Sequence, residues 1–169
     1  YDFSKNITSL IADTSIDGSL NFSTSGTNKL SNTNNLRTTI SNNLNYSSSD
    51  FISNLGFKNN FNLYFKNLNS VGKNDTLYTS RPQIDGMSIL KMDSSYPLLK
   101  LKDMTRETLT PKISFRINPG NNMDNHTGSS ANITTGNVFD INRLGLSNDF
   151  EAGKSLTLGL DYKFDPLEN

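Results

Sequence analysis

Three groups of residues in this chain of 169 carry side chains able to do chemistry. The single histidine, His126, lies in Asn-Asn-Met-Asp-Asn-His-Thr-Gly. Nucleophilic catalysis would need a Ser, Asp or Asn beside it. Composition supplies those neighbours everywhere, so their nearness carries no signal and His126 reads as a solvated loop histidine. Metal ligation needs several convergent His or carboxylate groups, and there is one His. The second group is Phe139-Asp140-Ile141-Asn142-Arg143-Leu144-Gly145, followed by Glu151 and Gly153. An arginine and a glycine in a fixed frame ahead of an alternating strand predict an ordered loop, pinned by Arg143 through Asp140 or Glu151. The third group is four cations, Arg37, Lys58, Lys112 and Arg116, which share the polar side of alternating segments. No phosphate-cradling glycine loop, no Gly-x-Ser-x-Gly elbow and no two-carboxylate signature is present. The chain reads as no enzyme, and no cofactor is expected.

The elements that would position these groups are strands. From Leu36 to Tyr46 the even positions are Leu, Thr, Ile, Asn, Leu and Tyr, while the odd ones are polar or charged. From Leu55 to Phe65 the apolar row is odd. Ile113, Phe115 and Ile117 alternate with Lys112, Ser114 and Arg116, and Leu156, Leu158, Leu160 and Tyr162 with Ser155, Thr157, Gly159 and Asp161. Period two over such lengths marks sheet. Arg37, Lys58, Lys112, Arg116, Asp161 and the neighbouring Lys66 all fall on the polar parity. A lipid-facing row would demand this, and a soluble sandwich would show the same alternation. Asn42 and Asn59 fall inside the apolar rows, where buried amides in lipid would need partners.

Turns and loops complete the outline. Ser47-Ser48-Ser49-Asp50 is short enough for a hairpin. Asn67 to Gln83 and Asn118 to Asn137 read as long polar loops with Gly and Pro breakers. Around Asp17-Gly18 either one strand runs through, or a two-residue turn swaps the faces. Short turns at one end and long loops at the other are the habit of outer-membrane barrels.

Composition fits a sheet with one apolar and one wet face. Roughly a third of the chain is Asn, Ser and Thr, a bias that usually goes with disorder. Yet only 19% is charged, the net charge is zero, and ten Phe and six Tyr are kept. Neutrality gives no reason to expect nucleic acid. No cysteine is present, so no disulfide or thiolate metal site can form. No apolar run is long enough for a membrane-spanning helix, but strand-built spans need only alternate residues to be apolar. Both ends look cut, so a piece of something larger is expected.

The order of motifs from Tyr96 to Tyr162 carries a resemblance. Tyr96-Pro97-Leu98-Leu99-Lys100 is followed by Leu109-Thr110-Pro111-Lys112 and a strand ending Asn118-Pro119. Then come Asn137-Val138-Phe139-Asp140, Asn142-Arg143-Leu144-Gly145 and Glu151-x-Gly153. This order resembles the barrel domain of the LptD family, the lipopolysaccharide-assembly proteins of the Gram-negative outer membrane. It covers the last part of the chain in detail and the first half only in style. Where the family commonly has acidic residues after its Asn-Pro step, this chain has Gly120-Asn121-Asn122-Met123-Asp124, so roles tied to those positions are not carried over.

The resemblance implies an antiparallel meander of about six strands, an interior arc of a transmembrane barrel. Residues 1–169 would be a partial barrel domain, with the family's N-terminal periplasmic domain absent. It further implies localisation in the cell outer membrane and passage of lipopolysaccharide to the outer leaflet. Implied partners are lipopolysaccharide, a plug lipoprotein, a periplasmic bridge reached through the missing domain, and outer-membrane lipids. Pro97, Pro111, Asn118, Pro119, Phe139, Asp140, Asn142, Arg143, Gly145, Glu151 and Gly153 would be structural motif residues. Arg37, Lys58, Lys112 and Arg116 would face the lumen, able to meet phosphates or to be solvated and paired to the plug. A different porin or carbohydrate channel, and a soluble β-rich adhesin module, are the alternatives.

Overall fold

In the computed structural model the described residues are 2–7, 17–102, 104–121, 132–144 and 150–166, and they form a single antiparallel sheet with no helix among them. Its nine strands are β1 (Asp2–Ile7), β2 (Gly18–Ser31), β3 (Asn35–Ser48), β4 (Phe51–Ile52), β5 (Lys58–Lys73), β6 (Gln83–Ser95), β7 (Leu98–Lys102), β8 (Thr105–Asn118) and β9 (Gly153–Pro166). The order is a meander from β1 to β9, and the sheet curls. Two of the nine continue a neighbour. Ser47 pairs with Asn62, and pairing resumes at Phe51 with Asn59. Three residues therefore stand against two, a bulge that lets β4 prolong β3. Ser95 pairs with Lys112 and Leu98 with Leu109, so β6 and β7 hold one register against β8. The interruption lies where Tyr96 and Pro97 meet Pro111 and Thr110. Tyr96 N–H donates to the Pro111 carbonyl at 3.0 Å. The reciprocal bond of an antiparallel pair is missing because Pro111 has no N–H.

Several expected boundaries are corrected. Within Ser47–Asp50, residues 48–50 form the bulge, and the turn itself lies at 53–57, where Ser53 N–H bonds the Phe57 carbonyl at 2.8 Å and Gly56 takes φ 85°. Leu55 thus sits in a turn, and the strand begins at Lys58. Asn67 to Gln83 is not all loop: β5 runs on to Lys73 and pairs through Leu36 with β3. A strand at 83–95 was not anticipated, and with β1 and β2 the count rises above about six. Gly18 opens β2 opposite Ile7, so Asp17-Gly18 is no two-residue hairpin, while Leu10, Ala12 and Ile16 lie outside the described residues.

Residues directly paired across an antiparallel ladder share a face. One face therefore carries Leu20, Tyr46, Leu63, Leu90 and Ile117 on a single rung, with Phe22, Leu44 and Phe65 on the next but one. Phe61, Met92, Phe115 and Leu156 form another. No charged residue interrupts this face along Phe57–Phe65, Leu90–Leu98, Leu109–Ile117 or Leu156–Phe164. Lys154 bounds the band at one edge, opposite Ile117, and Lys100 with Glu107 at the other, level with Phe164.

Burial is inverted relative to a water-soluble sheet. Leu156, Leu158 and Leu160 are 64%, 73% and 63% exposed on the apolar face, whereas Lys66 and Arg116 on the polar face are 4% and 2% exposed. The small packed core lies on the polar side: Leu68, Met87, Ile89 and Phe150, with Tyr64 and Ile141 against them. Met87 and Ile89 turn inward because the segment that follows β8 folds back and covers them.

The amides within the apolar rows are partnered. Thr24 Oγ1 donates to Asn42 Oδ1 at 2.7 Å, and Asn42 Nδ2 donates to Asn67 Oδ1 at 3.2 Å, a polar rung across β2, β3 and β5. Asn59 lies near the start of β5 and donates to the Phe57 carbonyl at 3.0 Å.

Candidate functional site

The polar face presents a covered patch built from β5, β6, β8 and the segments 137–144 and 150–152. Arg116 is directed inward by β8 and donates through Nε to the Ile141 carbonyl at 2.9 Å. Its NH2 reaches the Glu151 carbonyl at 3.2 Å and its NH1 the Glu151 carboxylate at 3.4 Å. Arg143 forms a close ion pair with the same carboxylate. Of the two acidic residues in its frame, Glu151 is therefore the partner of Arg143, while Asp140 is exposed and donates its N–H to the Asn137 carbonyl at 2.9 Å. Asn118, 1% exposed, donates to the Glu151 carbonyl at 2.9 Å and accepts from Gly120 N–H at 3.2 Å. These contacts clamp the returning segment at both its ends.

Aromatic packing seats the rest. The Phe150 ring stacks on Tyr64 with centroids 5.4 Å apart. Lys112 places its ammonium 4.4 Å from the Phe139 centroid and pairs with Asp161 at 2.8 Å. Phe139 also lies over Gly159, where a Cβ would come within 2.7 Å of the ring. Asn142 Oδ1 accepts from Leu144 N–H at 3.1 Å and fixes the turn around Arg143. Gly153 takes φ 98°, a left-handed conformation costly for other residues, and starts β9.

Further along the face, the Lys66 ammonium donates to Ser41 Oγ and Asn43 Oδ1, each at 2.9 Å. Lys91 stands directly opposite Arg116 and forms a close ion pair with Asp93. Like charges so placed repel unless each has its own partner.

The structure brings Lys112, Arg116, Asn118, Phe139, Arg143 and Glu151 together. It does not bring in Pro97 and Pro111, which break a ladder instead, or Pro119, which is exposed at the exit of β8. Arg37 pairs with Asp75 at 2.8 Å and Lys58 with Asp50 at 2.7 Å, each away from the patch. All four cations nonetheless lie on the polar face, by register with Gly72, Ser95, Gly159 and Lys91. Gly145 and His126 lie outside the described residues. Sequence reasoning missed Phe150, Tyr64 and Lys91 as members. Phe150 follows no strand periodicity, and Met87 and Ile89 mask the alternation around Lys91.

The patch can hold anions, hydroxyls and amides by hydrogen bonding. No group of His, Cys, Asp and Glu able to hold a metal ion occurs among the described residues. No helix among them is long and apolar enough to cross a membrane, which says nothing of crossing by strands. Compared with known proteins, the chain matches no family model, no curated protein and no solved structure.

Proposed function

We propose that the chain forms part of the wall of an outer-membrane β-barrel, with its apolar face toward lipid and its polar face toward the lumen. The observation that carries this reading is the inverted burial: Phe65, Phe115, Leu156, Leu158 and Leu160 are exposed in a charge-free band, while Lys66, Lys91, Arg116 and Asn118 on the other face are buried. A soluble module would leave that face in water as an apolar patch of a size monomers rarely expose. Along β5 with the preceding Phe57, β6–β7, β8 and β9 the band runs nine residues, from Phe57 to Phe65 and from Leu156 to Phe164 for example, close to the roughly 9–11 of a tilted spanning strand.

Within that class, the motif order from Tyr96 to Tyr162 supports a lipopolysaccharide-assembly barrel of the LptD family. In this reading the lumen passes the sugar portion of lipopolysaccharide while acyl chains leave sideways into the outer leaflet. Asn, Ser and Thr on the polar face exchange hydrogen bonds with sugar hydroxyls without holding them tightly. The proposed partners are the plug lipoprotein and the periplasmic bridge of that machinery. A carbohydrate channel is the second reading, favoured by the segment clamped against the polar face, which narrows a lumen.

Photo-crosslinking in cells decides between them. A photoreactive residue at Thr157, on the polar face, should capture lipopolysaccharide during export, and one at Leu158 should capture phospholipid. Absence of any lipopolysaccharide adduct from polar-face positions in a correctly inserted protein rejects the export reading and leaves the channel.

A further inference from the structure

At the end of the sheet away from the apolar band, a hollow of about 180 Å³ opens between β2, β3 and the loop after β5. Lys29 and Arg37 face each other directly across the β2–β3 ladder there. Two cations so placed repel unless negative charge lies between them. Asp75 is the one carboxylate among the described residues that line the hollow, and it is already committed. Its Oδ2 accepts from Arg37 Nε at 2.8 Å. Its Oδ1 accepts from Arg37 NH2 at 3.1 Å and from the N–H groups of Leu77 and Tyr78 at 2.7 and 3.0 Å. Asp75 thus orients Arg37 from the β5 side, and among the described residues lining the hollow no other carboxylate is left for Lys29.

The walls are preformed. Gly72 stands opposite Arg37, and a Cβ there would meet Asp75 Cβ and the Tyr78 carbonyl at 2.7 Å, so only glycine lets the loop fold over. Asn74, held at φ 51°, donates to the Asn34 carbonyl at 3.1 Å and ties that loop to the β2–β3 turn. Ser31, Asn35 and Thr76 add hydroxyl and amide donors around the cations.

We infer that this hollow is a binding site for a phosphate monoester, seated between Lys29 and Arg37. The lining donors come from two strands and a loop, and a phosphate's several oxygens can engage more of them at once than a carboxylate's two. Arg37, already engaged on two of its nitrogens, supplies the remaining N–H groups, and Lys29 supplies the free positive charge.

Isothermal titration of the folded protein in detergent tests this with inorganic phosphate, a hexose phosphate and the uncharged hexose. Phosphate should bind saturably and the hexose should not. Lys29→Met should weaken phosphate binding about tenfold, the loss of one charge-assisted hydrogen bond. Lys102→Met, an exposed lysine at the opposite end of the sheet, should leave it unchanged. Tighter binding of the hexose phosphate than of phosphate supports a sugar-borne ligand, and equal binding supports the free ion. Absence of saturable phosphate binding, or equal losses in the two lysine variants with unchanged circular dichroism, overturns the site. None of these outcomes depends on whether the apolar face meets lipid.

Discussion

The ring of Phe139 occupies the space that a side chain at Gly159 would fill, 2.7 Å from a Cβ built there. A bare backbone on β9 is thus the seat of a residue in the segment that returns across the polar face. Gly159→Ala should destabilise the folded protein by about 1 kcal/mol, because the ring tip and the end of Lys112 can move aside in part. Adding Phe139→Ala should remove most of that penalty. A double-mutant cycle by chemical denaturation checks it, and additive losses would deny the contact.

Glu151 is the shared anchor of Arg116 and Arg143, so its neutralisation should free the segment more than loss of either arginine. Glu151→Gln should cost about 3 kcal/mol, the range for breaking a buried ion pair. Limited proteolysis within 132–144 should accelerate while the strand signal in circular dichroism persists. Unchanged cleavage would remove the clamp from this account.

Arg143 is held by Glu151 and is largely covered, so Arg143→Ala should lower the yield of folded protein. Heat-modifiable mobility on gels measures that yield. Under the proposed export function, normal folding together with defective lipopolysaccharide export would give Arg143 a substrate role instead.

Asp75 gives a pH signature. Its hydrogen bond from Arg37, helped by the Leu77 and Tyr78 amides, lowers its pKa from 3.8 to about 2. A depressed carboxylate contributes stability fully above its unfolded value, and that contribution is lost as pH falls through the folded value. The loop 74–82 should therefore loosen between about pH 4 and about pH 2. Amide shifts of Leu77 and Tyr78 should report it, and Asp75→Asn should flatten the dependence. Asp50, lowered by Lys58 and then Asn60, should move in the same direction at the 53–57 turn.

How much of this was legible in sequence follows from which side of the sheet a residue faces. Leu36–Tyr46, Ile113–Ile117 and Leu156–Tyr162 were readable because their outward rows are apolar and their inward rows polar. The same rule failed at 83–95, where Met87 and Ile89 point inward beneath Phe150. It failed again beyond Phe65, where Asn67 and Asn69 lie past the edge of the band and look like loop. The pairing of Arg143 was narrowed in sequence to Asp140 or Glu151; only the fold brings Arg116 and Asn118 to the same carboxylate. The hollow beside Lys29 had no signal, since two residues eight apart meet only once the β2–β3 register is fixed.

In the proposed orientation the row Leu156, Leu158, Leu160, Tyr162 and Phe164 faces lipid while its alternates face water. The chain has no native cysteine, so single nitroxide labels can be scanned from 154 to 164 in bilayers. Accessibility to oxygen against a water-soluble nickel complex should alternate with period two, oxygen dominating at the even positions. Equal nickel access at both parities, or protection of the even row from both reagents, would contradict the account.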